Sequence, residues 1–151
     1  MISVRITLGN DWSGHDLEAG RSKDWWAQAV RDLEQANYCY ADGRHEWACF
    51  AAQQAAEKAI KAVLLYLGHE GKGNVVANLI TDVPSLVTQI PEMLEWARVL
   101  DTYYLPTRYP DSHADGAPFE RYGRLQSEEA ICYASKILEG IKFQVNRLIV
   151  I

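Results

Sequence analysis

The sequence predicts an all-α bundle, and three observations carry that prediction. Long stretches at 22–41, 45–67 and from 127 to the C-terminus set apolar residues at i, i+3, i+4 and i+7, the repeat of helices with one buried face. Strand-like alternation is confined to Val4, Ile6 and Leu8 near the start. The middle stretch, AAQQAAEKAIKAVLLYL, combines strong helix formers with small residues that let a neighbouring helix approach closely.

The expected domain organisation is an irregular N-terminal arm, residues 1–21, followed by one helical-bundle domain, 22–151. In the arm, Val4, Ile6 and Leu8 alternate with Arg5 and Thr7, Asp11 to Asp16 is turn-like, and His15 reads as a solvated loop residue. Ser22 is expected to cap the first helix, with Asp24 complementing the positive end of its dipole. Trp26, Ala29, Val30, Leu33 and Ala36 form its buried face, and Gly43 suits the left-handed position that ends it. The second helix is expected over 45–67, stopping at Gly68, with Trp47, Phe50, Ala51, Ala55, Ala59, Ala62 and Leu65 apolar. Glu57 and Lys61 read as an i, i+4 pair in the favourable order, worth a few tenths of a kcal/mol.

A glycine-rich connector at 69–73 lacks both the preceding strand and the Gly-Lys-Ser/Thr ending of a phosphate-binding loop. Short helical segments follow at 75–82 and 84–90. Pro91 opens a further helix whose stripe is Met93, Leu94, Trp96, Ala97, Leu100 and Tyr104, ending before Pro106. Ser127, with Glu128 and Glu129 behind it, is expected to open the last helix. Its apolar face includes Ala130, Ile131, Ala134, Ile137, Leu138, Ile141 and Leu148.

At 151 residues the chain is expected to be one domain, burying about 68–70% of its unfolded surface. No apolar run reaches the roughly 18 residues of a membrane span, and the start lacks the pattern of a secretory signal. Cys39, Cys49 and Cys132 are odd in number and set among apolar helical residues, so free thiols in a reducing cytoplasm are expected. A net charge of −5 argues against a broadly basic nucleic-acid surface; any RNA contact needs a local cationic cleft.

One stretch, Leu100 to Tyr122, is neither amphipathic helix nor simple turn. It gathers Tyr103, Tyr104, Tyr109, Phe119 and Tyr122 with Arg108, His113 and three prolines. Ordered loops of this length are more often functional than mere connectors. Gln53, Gln54 and Lys58 border the apolar face of the second helix, as a solvated flank or as the wall of a cleft beside this loop. Asp111 and Asp115 near His113 are not presented at ligand spacing, so neither metal nor cofactor is expected.

Taken together, these features resemble the HEPN family of small helical proteins. The resemblance rests on Trp26, Asp32, Leu33 and Ala36 of the first helix. It continues in Phe50-x-x-Gln53-Gln54-Ala55-x-Glu57-Lys58-Ala59-x-Lys61, in Tyr104-Leu105-Pro106-Thr107-Arg108-Tyr109-Pro110-Asp111, and in Gly116-x-Pro118 with Tyr122. It covers roughly Ser22 to the C-terminus. It implies an up-and-down four- to five-helix bundle, a homodimer, and a nucleotidyltransferase-type protein partner in a toxin–antitoxin pair. The ribonuclease branch carries Arg and His four to six residues apart, which Arg108 and His113 match in spacing. In that chemistry His113 moves a proton and Arg108 holds the scissile phosphate. Tyr104, Arg108, Tyr109 and Asp111, with Gln54 and Lys58, are the expected RNA- or nucleotide-binding set. The chain departs from the active pattern where Tyr109 and Pro110 follow the arginine, because Pro110 places the pair on a loop. Two further roles stay open for that loop: non-catalytic binding of a nucleotide or partner, and pinning by an Arg108 ion pair with Asp101 or Asp111. Family members modified by their partner carry a Tyr two residues after the His; Asp115 stands there in this chain.

Overall fold

The computed structural model describes residues 21–149. The expectations for residues 1–20, including Val4, Ile6, Leu8 and His15, and for the Leu148 side chain lie outside the described residues. The helices are α1 (Ser22–Ala41), α2 (His45–Tyr66), α3 (Val76–Thr81), α4 (Pro84–Gln89), α5 (Glu92–Asp101), α6 (Pro118–Arg121) and α7 (Arg124–Ile149). The described residues contain no strand. The bundle is built by α1, α2, α5 and α7, with α3 and α4 filling the step between α2 and α5.

The centre of the bundle is α2, which packs against α1 on one side and α7 on another, and also meets α3, α5 and α6. Ala48, Ala52, Ala55, Ala56, Ala59 and Ala62 are fully buried along it. A helix buried on so many sides leaves little room for a solvated flank. Gln53 is fully buried and its Nε2 donates to the Asn74 carbonyl at 3.1 Å. Glu57 is also buried, and Lys61 reaches its Oε2 at 3.4 Å. The Glu57–Lys61 pair is therefore largely removed from water, which its i, i+4 spacing does not reveal. Burial pushes the Glu57 carboxyl above the usual carboxylate range, and its Oε1 has no hydrogen-bond partner.

Glycines end α1 and α2 in the same way. Gly43 has φ +74°, with Arg44 N–H donating to the Cys39 carbonyl and Gly43 N–H to the Tyr40 carbonyl. Gly68 has φ +81°, with matching bonds from His69 to Leu64 and from Gly68 to Leu65. This left-handed closure satisfies carbonyls that the last turn leaves without partners.

Three helix ends differ from the sequence expectation. Ser22 is the first residue of α1 and is buried, with Arg21 in the cap position. The last helix begins at Arg124, three residues before Ser127. Gln126 Oε1 accepts from the Gly123 N–H at 3.0 Å, so Gly123 and Gln126 act as the reciprocal half of a capping box. Ser127 instead donates to the Arg124 carbonyl and meets His45 Nδ1 at 2.7 Å, joining the starts of α7 and α2. The third difference is α5, which ends at Asp101 rather than near Leu105. The Asp101 carboxylate accepts from the Val76 and Ala77 N–H groups at 2.7 and 3.0 Å, capping α3. From there the chain turns, and Tyr103 rather than Tyr104 enters the core.

The small residues of α2 fix the spacing of its neighbours, which predicts the cost of enlarging one. Ala55→Leu inserts three carbons into a fully buried contact and is expected to lose about 1–3 kcal/mol in urea unfolding. Ala27→Leu on the exposed side of α1 should stay within about 0.5 kcal/mol of wild type. Equal effects at the two positions would contradict the packing described.

Candidate functional site

The segment between α5 and α7, residues 102–123, is held from beneath by its own backbone and by the buried Tyr103, Thr107 and Pro118. Thr107 is buried and its Oγ1 donates to the Tyr103 carbonyl at 2.6 Å. The Arg108 and Tyr109 N–H groups both donate to the Leu105 carbonyl, at 3.0 and 3.3 Å. Pro110–Ser112 then forms a single 3₁₀ turn, closed by Ser112 N–H on the Tyr109 carbonyl and His113 N–H on the Pro110 carbonyl. Further on, Gly116 takes φ +76°, and the Arg121 guanidinium closes over it onto the Asp115 carbonyl and carboxylate.

Two aromatic assemblies stand on this scaffold. In the first, Tyr122 meets Tyr103 edge-on at 5.9 Å and His113 edge-on at 6.0 Å. His113 Nε2 lies 2.7 Å from the Pro106 carbonyl. A carbonyl only accepts, so Nε2 carries the proton, and in the neutral ring Nδ1 is left as an acceptor. In the second, the Arg108 guanidinium lies over the Phe50 ring at 4.1 Å, Tyr104 at 4.8 Å and Tyr109 at 5.3 Å. Its Nε donates to the Tyr104 carbonyl at 2.9 Å. Arg108 makes no ion pair among the described residues; the alternative of pinning by Asp101 fails because Asp101 is committed to α3. Three rings within 5.3 Å attract the cation and the Nε bond holds the guanidinium among them, leaving its terminal N–H groups as donors.

Beneath the first assembly the environment is dry. Burial pushes the Cys49 thiol up to about 12, with the Glu46 and Glu129 charges adding to the effect. Burial likewise raises the Tyr103 and Tyr122 phenols. All three cysteines are free, with Cys49 buried and Cys39 and Cys132 half-buried.

A sequence model described as the HEPN domain matches residues 22–144. This chain belongs to that family. The crystal structure of TT1696 from Thermus thermophilus is 43% identical, covering 82% of this HEPN chain and 98% of that chain with a TM-score of 0.79. The structure of ST0689, an archaeal HEPN homologue, is 42% identical over 83% of this chain and 98% of its own, with a TM-score of 0.70. Among curated proteins, the "putative toxin MJ1304" of Methanocaldococcus jannaschii is 27% identical over 124 residues, 76% of this chain and 82% of its own. The all-helical architecture of the HEPN chain agrees with that of these relatives.

Of the residues singled out in the sequence, Tyr104, Arg108 and Tyr109 come together in one assembly, while His113 stands in the other and shares no partner with Arg108. Asp111 is exposed in the 3₁₀ turn. Gln54 donates to Gln53 Oε1 at 2.7 Å, towards the connector after α2. Lys58 pairs with Asp32 of α1 and lines a depression of about 280 Å³ with Arg21, Asp24, Trp25 and Gln28, none of them from the loop. The component whose role the sequence does not signal is Phe50, named above only as an apolar residue and as the start of a family motif. Periodicity places it on the apolar face of α2, and only the fold brings the guanidinium onto its ring. No helix among the described residues is long and apolar enough to cross a membrane, and no group of three metal-ligating side chains occurs among them.

The raised Cys49 thiol has a consequence for stability. An unfolded thiol ionises near about 8.5, whereas the folded one holds its proton to about 12. Its contribution to stability is thus full below about pH 8.5 and is lost as pH rises through 12. Urea unfolding of wild type should weaken more steeply between pH 9 and 12 than that of Cys49→Ala; parallel profiles would show the thiol to be ordinary.

Proposed function

We propose that this HEPN chain is the toxin-like, RNA- or nucleotide-binding member of a two-component system and that Arg108 is its phosphate-holding residue. The observation that carries this reading is the guanidinium itself: set against three rings, held through Nε, and without a carboxylate partner among the described residues. A cation left unpaired in a protein of net charge −5 is suited to an anionic ligand, and a planar fork of oriented donors matches a phosphate. Exposed Tyr109 supplies an aromatic face beside it. The toxin name of the archaeal relative is consistent with this assignment. The partner in this reading is a nucleotidyltransferase-type protein, and the working form is a homodimer.

A second reading, metal-independent ribonuclease activity, is favoured by His113. With Nε2–H committed to the Pro106 carbonyl, Nδ1 is the basic nitrogen, available to accept a 2′-hydroxyl proton. In this reading the two-fold of the homodimer brings two copies of Arg108 and His113 to one cleft, which supplies both an acid and a base.

The test is to incubate purified protein with a mixed single-stranded RNA pool, with and without chelator, beside Arg108→Ala and His113→Ala. Binding weakened tenfold or more by Arg108→Ala is the expected outcome. Chelator-resistant cleavage that leaves cyclic-phosphate ends and disappears in both variants would establish the ribonuclease reading. Binding without cleavage that tolerates His113→Ala would assign a non-catalytic module. Wild type and Arg108→Ala behaving alike in both assays would overturn the phosphate site.

A further inference from the structure

Trp47 stands one ring away from Arg108. Its indole meets Phe50 edge-on, with centroids 6.1 Å apart and planes at 75°, and the face of Phe50 carries the guanidinium at 4.1 Å. On the loop side the guanidinium faces Tyr109 at 5.3 Å. Trp47 is 47% exposed and Tyr109 is 48% exposed, so each ring is half open to solvent. Trp26 is fully buried and belongs to the core, whereas Trp47 lies outside it. Two half-open aromatic rings therefore accompany an unpaired, oriented guanidinium, one presented by the rigid α2 and the other by the loop.

The chemistry of such an arrangement is not that of a site for free phosphate. Inorganic phosphate engages Arg108 alone, and a mononucleotide can add one ring. Two separate rings associated with one cation suit consecutive unpaired bases on either side of the phosphate that joins them. An aromatic ring held by edge contact to Phe50 also loses little freedom when a base stacks on it.

We propose that Trp47 and Tyr109 are base-stacking positions flanking the phosphate held by Arg108, and that the ligand is a single-stranded polynucleotide of at least two residues. This rests on the phosphate-binding reading of Arg108 given above. Stacking accepts any base because each presents a π face, so binding is tolerant of sequence and depends on strand length. The net charge of −5 adds no general attraction, which leaves these three side chains to supply the local affinity.

The experiment titrates the intact protein with a uridylate tetramer, uridine monophosphate and inorganic phosphate, in wild type, Trp47→Ala, Trp47→Phe and Arg108→Ala. Light scattering runs in parallel. Trp47→Ala should weaken the tetramer about tenfold, weaken the monophosphate less than that and leave inorganic phosphate unchanged, while Trp47→Phe keeps most of the tetramer affinity. Arg108→Ala should weaken all three ligands. Loss of tetramer binding in Arg108→Ala but not in Trp47→Ala would overturn the stacking role and leave the phosphate site standing. A changed mass in Trp47→Ala with unchanged tetramer affinity would place Trp47 in a protein contact and overturn it also. Wild-type protein that binds none of the three would remove the phosphate reading itself, and the stacking role with it.

Discussion

The structure depends on how closely α1 and α7 approach α2, and that distance is set by alanine. Methyl-sized side chains along α2 let neighbouring backbones come near on several sides at once, so one helix serves as the core of the bundle. The arrangement has a cost. Polar residues along the middle of that helix have little exposed face to occupy: Gln53 and Glu57 are buried with it and Lys61 is half-buried. Removing charged groups from water is offset only in part by a 3.4 Å ion pair with one carboxylate oxygen unpartnered. Close packing of the helices and burial of these groups are one event.

The candidate site follows from where that scaffold stops. Asp101 is the last residue of α5 and its carboxylate caps α3, and beyond it the chain satisfies its backbone locally. It does so with two aromatic assemblies that divide the work: Tyr103, Tyr122 and His113 lock the segment to the body, and Phe50, Tyr104 and Tyr109 orient a cation. The same imidazole anchors the segment through one nitrogen and leaves the other as an acceptor.

Much of the fold was legible in the sequence because periodicity and helix stop signals are local. The face of α1, the glycine closures after α1 and α2, and the short segments before Pro91 could all be read within a few residues. The interior position of the Glu57–Lys61 pair could not, because an i, i+4 spacing says nothing about what covers a helix. The start of α7 was misplaced for a related reason: Ser127 followed by two glutamates is a strong local cap, yet Gly123 and Gln126 make the cap and Ser127 bonds across to His45. Of the candidate site, the loop and its arginine were visible as composition. Phe50, which holds that arginine, was not, since it lies 58 positions away in the sequence and looks like any other apolar helix residue.

The division between what anchors the loop and what faces outward has a consequence for redesign. Tyr103, Thr107 and Pro118 are buried, whereas Asp111 and Phe119 are open to solvent on the same short segment. Exchange of either outward side chain changes the outer surface without removing the internal bonds that shape the loop. The loop can thus be resurfaced while its support stays as it is.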